Sequence, residues 1–235
     1  MEGAKATEDL FTPIHKALRS MIYDLGSRLQ KNDFQDVAVT SSLVRDLEND
    51  FALARSAGCV LCILHQHADD EEFSIFPPAS ASNRELVASL IQEHQELTRR
   101  ELTILGSAHD LLALDQAADR VAAGVVLNQM ANELFAAYMA HMNREEAELV
   151  PRMKEQFTDE QMTRMRGAII GRTPPERVMA TLGWMAPALN PTELATFLGS
   201  LKKGAPPEAF RAVTDLCAAR VDPARWSQVK AHLGL

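Results

Sequence analysis

Strand signals are almost missing from this chain of 235 residues. No stretch sustains an apolar/polar alternation, and no Asn-Gly or Asp-Gly pair is present to turn a hairpin. Basic clusters are missing too. With a net charge of −8 and no stripe of Lys and Arg interleaved with aromatics, nucleic acid is excluded as a partner, because phosphate neutralisation needs clustered cations. No run of about 18 apolar residues exists to span a membrane, so no membrane partner is expected. The opening residues, MEGAKATEDLF, have neither the basic start nor the apolar centre of a secretory signal, which makes the cytoplasm the expected location. Cysteine is scarce: Cys59, Cys62 and Cys217 are an odd number at no framework spacing, consistent with a reducing compartment. What is plentiful is ordinary globular material, 46 % hydrophobic and 24 % charged, enough to fold without a disulfide or metal as a staple.

Helical periodicity fills the space that strands leave. A first helix is expected over about 8–31, with Phe11, Ile14, Leu18, Ile22, Leu25 and Leu29 on one face. A second falls within about 36–75 and is stopped by Pro77-Pro78. A third starts at Ser82, which has capping-box spacing to Glu85, and runs to about 108. A fourth falls within about 115–156, bearing Leu127, Met130, Leu134, Phe135, Tyr138 and Met142. Four amphipathic helices on short links make an antiparallel bundle over residues 1–157. After Phe157 the pieces become short and proline-punctuated, at about 158–170, 174–189, 191–201, 206–220 and 223–233. They read as a smaller C-terminal helical subdomain, 158–235, with a core from Met179, Leu182, Trp184, Met185, Leu189, Leu194, Phe197, Leu198, Phe210, Val213, Leu216 and Trp226. The fold class is all-α.

Two stretches carry chemistry: ILHQHADDEE, from residue 63, and AHMNREEAEL, from residue 140. In a helix, residues i and i+4 lie one above the other. His67 and Glu71 have that spacing, and so do His141 and Glu145. Both pairs interrupt an apolar stripe: Leu64, Ala68 and Ile75 flank the first, and Leu134, Tyr138 and Leu149 flank the second. His15 falls between Ile14 and Leu18 on its helix, and His94 between Ile91 and Leu97. Each of four helices thus turns a histidine inward, and two add a carboxylate one turn later. Burying these groups unpaired costs several kcal/mol or shifts their pKa, and a pair of divalent cations satisfies all six. Imidazole with carboxylate suits iron, zinc or manganese and gives no reason to prefer copper. One mismatch of length accompanies this reading. His15 lies about 16 residues from the end of its helix, yet about 31 separate residue 36 from His67, and a similar surplus recurs between the third and fourth helices. Breaks near 36–50 and 112–126, or overhanging helices, would absorb it.

The order of these motifs, His15, then HADDE followed by FSIFP, then Glu93-His94, then HMNREE leading to Pro151, resembles the hemerythrin-like, HHE cation-binding domain over about residues 9–157. The resemblance implies a four-helix bundle around two non-heme iron ions, oxo- or hydroxo-bridged, with zinc or manganese as alternatives. It implies His15, His67, Glu71, His94, His141 and Glu145 as ligands, Glu71 and Glu145 able to bridge. The expected function is a di-iron protein binding or reducing O2, peroxide or NO, with peroxidase-like, catalase-like or NO-handling activity as the enzymatic form. The small diatomic or peroxide ligand is the expected partner. A non-enzymatic iron or O2 sensor and a structural zinc protein are the alternatives. The family's oxygen carriers have a second histidine one turn after the third-helix ligand, where this chain has Thr98, and a five-residue step from the last His to an Asp, where it has His141 and Glu145. That departure favours redox reactivity or sensing over oxygen storage.

The remaining polar residues read more plainly. His65 points elsewhere than His67; Glu72 and Glu146 read as the solvated member of each Glu-Glu pair; Asp69 and Asp70 read as surface charge. Cys59 and Cys62 read as two small buried side chains in mid-helix. Tyr138 reads as a packing residue, Glu101 as a residue two turns from His94, and His109 and His232 as surface groups. The C-terminal subdomain offers no chemistry of its own, only a surface for a protein partner or a second copy.

Overall fold

The computed structural model describes residues 8–47 and 60–234, and these are helical nearly throughout, with no strand among them. The helices are α1 (Thr12–Lys31), α2 (Val37–Leu47), α3 (Val60–Asp70), α4 (Phe76–Leu112), α5 (Ala117–Arg144), α6 (Val150–Gln156), α7 (Asp159–Arg172), α8 (Pro175–Ala188), α9 (Pro191–Gly204), α10 (Pro207–Arg220) and α11 (Pro223–Leu233). Helices α1, α3, α4 and α5 make the bundle. No helix of the described residues is long and apolar enough to cross a membrane.

The second expected helix is two elements, α2 and α3, and the part of it at 48–59 lies outside the described residues. Helix α2 packs on α3 and α4, which absorbs the first surplus of length. The second surplus is overhang: α4 runs on to Leu112, and only four residues, 113–116, separate it from α5. Arg120 ties the two links at that end together. Its guanidinium donates to the carbonyls of Leu114 (2.9 Å), Asp115 (3.0 Å) and Gln35 (3.0 Å). Beside it, Gly124 lets the Phe34 ring lie where a Cβ would stand, 2.3 Å from the nearest ring atom.

Pro77 and Pro78 do not stop a helix. Between α3 and α4 the chain makes a π-turn, Glu71–Ile75, and passes straight into α4 with both prolines in its first turn. The same happens between α5 and α6, where the π-turn Glu145–Leu149 precedes Pro151. A proline inside an α-helix has no N–H to give and drives its ring into the carbonyl four residues back. Widening the helix relieves that clash. Phe76 N–H reaches the carbonyl of Glu71, and Val150 N–H that of Glu145, each five residues back. The expected start at Ser82 is a kink one residue later: Asn83 has φ −134° and ψ 38°, and its side-chain amide donates to the carbonyl of Ala79 at 3.1 Å and to Gln156 Oε1 at 3.0 Å.

Three apolar clusters build the core. The first joins α1 to α5 at one end of the bundle through residues such as Leu18, Leu25, Leu64, Ile104, Leu127 and Leu134. The second closes the other end with Phe11, Ile75, Phe76, Leu90, Leu149 and Met153, joined by Met162 and Met165 of α7. The third lies among α8 to α11 and reaches α1 at Ala17. It contains or touches every C-terminal core residue expected from the sequence. Proline and polar caps set these short helices off: Thr158 and Asn190 each form a capping box with the residue three on.

Candidate metal centre

Between the first two apolar clusters lies a polar layer. Helix α1 places His15 there, one turn after Phe11 and three residues before Leu18. Helix α3 supplies His67 and the π-turn after it Glu71; α4 supplies His94; α5 supplies His141 and the second π-turn Glu145. All six are buried. The six residues that the sequence singled out are therefore brought together in one place.

They divide into two groups that share both carboxylates, His15, His67, Glu71 and Glu145 in one, and Glu71, His94, His141 and Glu145 in the other. Oε1 of Glu71 lies 3.1 Å from His67 Nε2 and 3.8 Å from His15 Nε2, while its Oε2 lies 3.2 Å from His94 Nε2. Glu145 does the converse. Its Oε2 is 3.3 Å from His15 Nε2 and its Oε1 3.3 Å from His141 Nε2. The rings pair accordingly, His15 with His67 at 5.1 Å between centroids and His94 with His141 at 4.6 Å.

All eight inward atoms, the four Nε2 and the four carboxylate oxygens, are buried and have no hydrogen-bond partner. Leaving so many polar atoms in a core without a hydrogen bond is costly. Their spacing suits cations. Two ligands at right angles and about 2.1 Å from one ion stand about 3 Å apart, close to the observed separations. Each group offers two imidazoles and one oxygen from each carboxylate, so the residues present would fit a cation in each group, with Glu71 and Glu145 facing both.

The outward ring nitrogens are held by a further set of carboxylates. His15 Nδ1 is 2.9 Å from Glu146, His94 Nδ1 is 2.9 Å from Glu72, and His141 Nδ1 is 2.8 Å from Glu93. An Nδ1–H donating to a carboxylate leaves the lone pair on Nε2, aimed inward, and makes it more basic. Glu146 is itself held by Arg19 at 2.8 Å, and Glu93 by Arg144. Glu72 and Glu146 are thus not merely solvated, as their place in the sequence suggested. Each reaches from its π-turn to the isolated histidine of a facing helix. Glu93 carried no such role in the sequence reading, although its adjacency to His94 was visible there.

Two other expectations change. Asp70 is buried, accepting from Gln66 at 2.8 Å, and burial pushes its carboxyl up to about 6. Tyr138 is more than packing, since its phenol donates to Glu101. His65 stands outside both groups, with Nδ1 3.6 Å from Glu101. Cys62 is buried, and Cys59 lies outside the described residues.

Without cations, protons balance the carboxylates. Burial works against a charged His15, but Glu145, Glu146 and Glu71 outweigh it and raise the imidazole from 6.5 to about 10. His94, opposed by burial and favoured by Glu71 and Glu72, also rises to about 10. His67 goes the other way, to about 4, because burial and the neighbouring His15 outweigh the attraction of Glu71. Burial would raise Glu71, yet His67, His15 and His94 hold it well below the ordinary carboxylate range. A cation entering this dry layer finds the negative charge of Glu71 already present and takes the place of the protons on His15 and His94.

No curated protein and no solved structure matches this chain. A family model does, that of the hemerythrin HHE cation-binding domain, over residues 7–153, which take in all six inward residues and α1 to α5. A match over more than half of the chain, with four histidines and two glutamates of that span gathered in one layer, leads to one conclusion: the chain belongs to the hemerythrin HHE cation-binding family.

Proposed function

We propose that His15, His67, Glu71, His94, His141 and Glu145 hold two iron ions, and that the protein binds or reduces O2, peroxide or NO at them. The observation that carries this is the set of eight buried donor atoms that make no hydrogen bond, four around each of two positions. Four donors would close the tetrahedral shell of a structural zinc, whereas an iron that takes more than four ligands would keep positions open there for a small ligand and a bridging group. Iron, when bound, supplies the electron exchange and the affinity for diatomic ligands and peroxide.

The protein's own part is to orient and to exclude. Glu146, Glu72 and Glu93 fix three of the imidazoles, and Glu71 and Glu145 span the two positions. Phe11, at 5.6 Å edge-on to His15, and Phe76, stacked at 5.4 Å on His94, shield the rings from water. Thr98, standing where a second histidine would follow His94 by one turn, leaves fewer imidazoles and more open positions, which suits redox turnover or sensing better than oxygen storage. Metal analysis of the purified protein should give about two irons per chain with an oxidised di-iron absorption band, and H67A/H141A should lose both. Unchanged metal content in that variant would sink the proposal.

A sensor is the second reading, and one arrangement favours it. Arg172 of α7 donates to the carbonyl of Asp69 at 3.3 Å and sits 3.9 Å over the Phe73 ring; Arg177 of α8 donates to Gln66 at 2.9 Å. The C-terminal helices thereby grip the segment that carries His67 and Glu71. Iron-dependent hydrogen-exchange protection spreading into α7 and α8, without turnover of peroxide or NO, would favour sensing.

A further inference from the structure

The chain has two tyrosines, and they occupy opposite environments. Tyr23 is 64 % exposed on α1, whereas Tyr138 is 2 % exposed on α5. Tyr138 lies one turn before His141 on the same inward face, about 4.5 Å along the helix axis. Its phenol donates to Oε1 of Glu101, a residue of α4 that is also 2 % exposed. The other carboxylate oxygen faces His65 Nδ1 at 3.6 Å. Around this dyad the bundle is apolar, with Leu97, Ile104, Leu134 and Met142 in the same cluster. The buried carboxylate is met by one phenol hydrogen bond and a partly exposed imidazole at 3.6 Å, and an apolar pair would pack there without the cost of burying it. The placement calls for a use.

Phenol chemistry supplies one. A phenol that loses an electron becomes a very strong acid, so its oxidation is hard unless a base already accepts its O–H. Glu101 is such a base, in place before any oxidant arrives. Burial, reinforced by the charge of Glu101, keeps the phenol protonated well above its ordinary pKa of 10. The group that meets an oxidant is therefore the neutral phenol with its acceptor attached.

We propose that Tyr138 is a one-electron donor to the metal centre and Glu101 the base that takes its proton, an inference that rests on the di-iron reading of the site. Hydrogen peroxide is the oxidant. Its O–O bond breaks, and two electrons with two solvent protons give two waters. One iron(II) ion of a half-reduced pair supplies one electron and Tyr138 the other. At Tyr138 the O–H bond breaks, the electron leaves toward the iron pair, and the proton passes to Glu101 Oε1. A neutral tyrosyl radical and a neutral carboxylic acid remain.

The test uses Y23F, in which Tyr138 is the sole tyrosine. Full-length Y23F is loaded with iron, its iron content measured, half-reduced, and mixed with one equivalent of hydrogen peroxide. Electron paramagnetic resonance should show a tyrosyl signal that is absent from Y23F/Y138F. The signal should fall at least tenfold in Y23F/E101Q, whose amide cannot take the proton, and return in part in Y23F/E101D. In Y23F itself, the infrared difference spectrum should gain the carbonyl stretch of a protonated carboxylic acid as the radical appears, which tests the proton step without altering Glu101. Iron-loaded Y23F with no tyrosyl signal, or an equal signal in folded Y23F/E101Q, overturns the proposal. Protein that takes up no iron overturns the di-iron reading beneath it, and the metal analysis tells the two failures apart.

Discussion

A histidine presents a metal with a usable lone pair only when its other nitrogen is told where to keep the proton. In this centre Glu146, Glu72 and Glu93 do so for His15, His94 and His141. Replacing Glu146 with Ala leaves His15 Nδ1 without its acceptor while keeping all six inward residues. Such losses lower metal affinity by about 10–100-fold. Chelator competition on E146A should show a fall in that range. His67, Glu71, His141 and Glu145 were legible in the sequence because a four-residue step within an apolar stripe admits one geometry, and His15 and His94 because each interrupts such a stripe alone. Glu72 and Glu146 were not, because neighbours in an α-helix point about 100° apart, and a residue beside an inward Glu then reads as outward. The Tyr138–Glu101 bond joins residues on different helices with no spacing rule between them, so nothing in the chain announced it.

At the scale of elements, the two π-turns explain why that reading of the Glu-Glu pairs fell short. HADDEEFSIFP and HMNREEAELVP have the same layout, His, Glu four on, Glu five on, and Pro ten on. In both, the π-turn begins at the inward Glu and ends at the residue two before the proline. The wider turn lets Glu71 face both groups while Glu72 reaches His94, and lets Glu145 do so while Glu146 reaches His15. Proline therefore shapes the centre from outside it. Pro151→Ala restores an N–H and removes the ring clash, so the segment should relax toward regular α-helix and turn Glu146 away from His15. P151A should keep its helical content and global stability yet bind metal roughly tenfold more weakly, the lower end of the range for a lost orienting partner. Circular dichroism with chelator competition separates the two effects, and wild-type affinity in P151A would dismiss the role given to the π-turn. Helix existence and the C-terminal boundaries were readable from periodicity and from Pro and capping residues. The passage through Pro77-Pro78 was not, because a Pro-Pro pair ends far more helices than it widens.

For the whole molecule, protons and cations compete for one buried layer, and the signs of their effects are opposite. His15 and His94 have folded pKa values of about 10, against an ordinary value of 6.5. Between those limits the folded metal-free chain binds more protons than the unfolded one, so its stability falls as pH rises. The contribution is complete below about 6.5 and gone above about 10. His141 is raised too and acts in the same direction, while His67, lowered to about 4, acts only on the acid side. Cation binding needs the imidazoles neutral, so it releases protons and strengthens with pH over the same window. Taking the chelated protein from pH 6.5 to pH 9 should lower its thermal midpoint, whereas the same change should tighten iron or zinc binding. Free metal at a hundredfold excess over its dissociation constant adds about 2.7 kcal/mol for each ion bound, or roughly 5–10 °C per ion for a chain of this size. The gap between metal-loaded and metal-free midpoints should therefore widen with pH. A metal-free midpoint that climbs over this range, or metal uptake without proton release into a weakly buffered dye solution, would mean that the imidazoles are neutral beforehand and that the carboxylates of the layer are balanced by something other than protons.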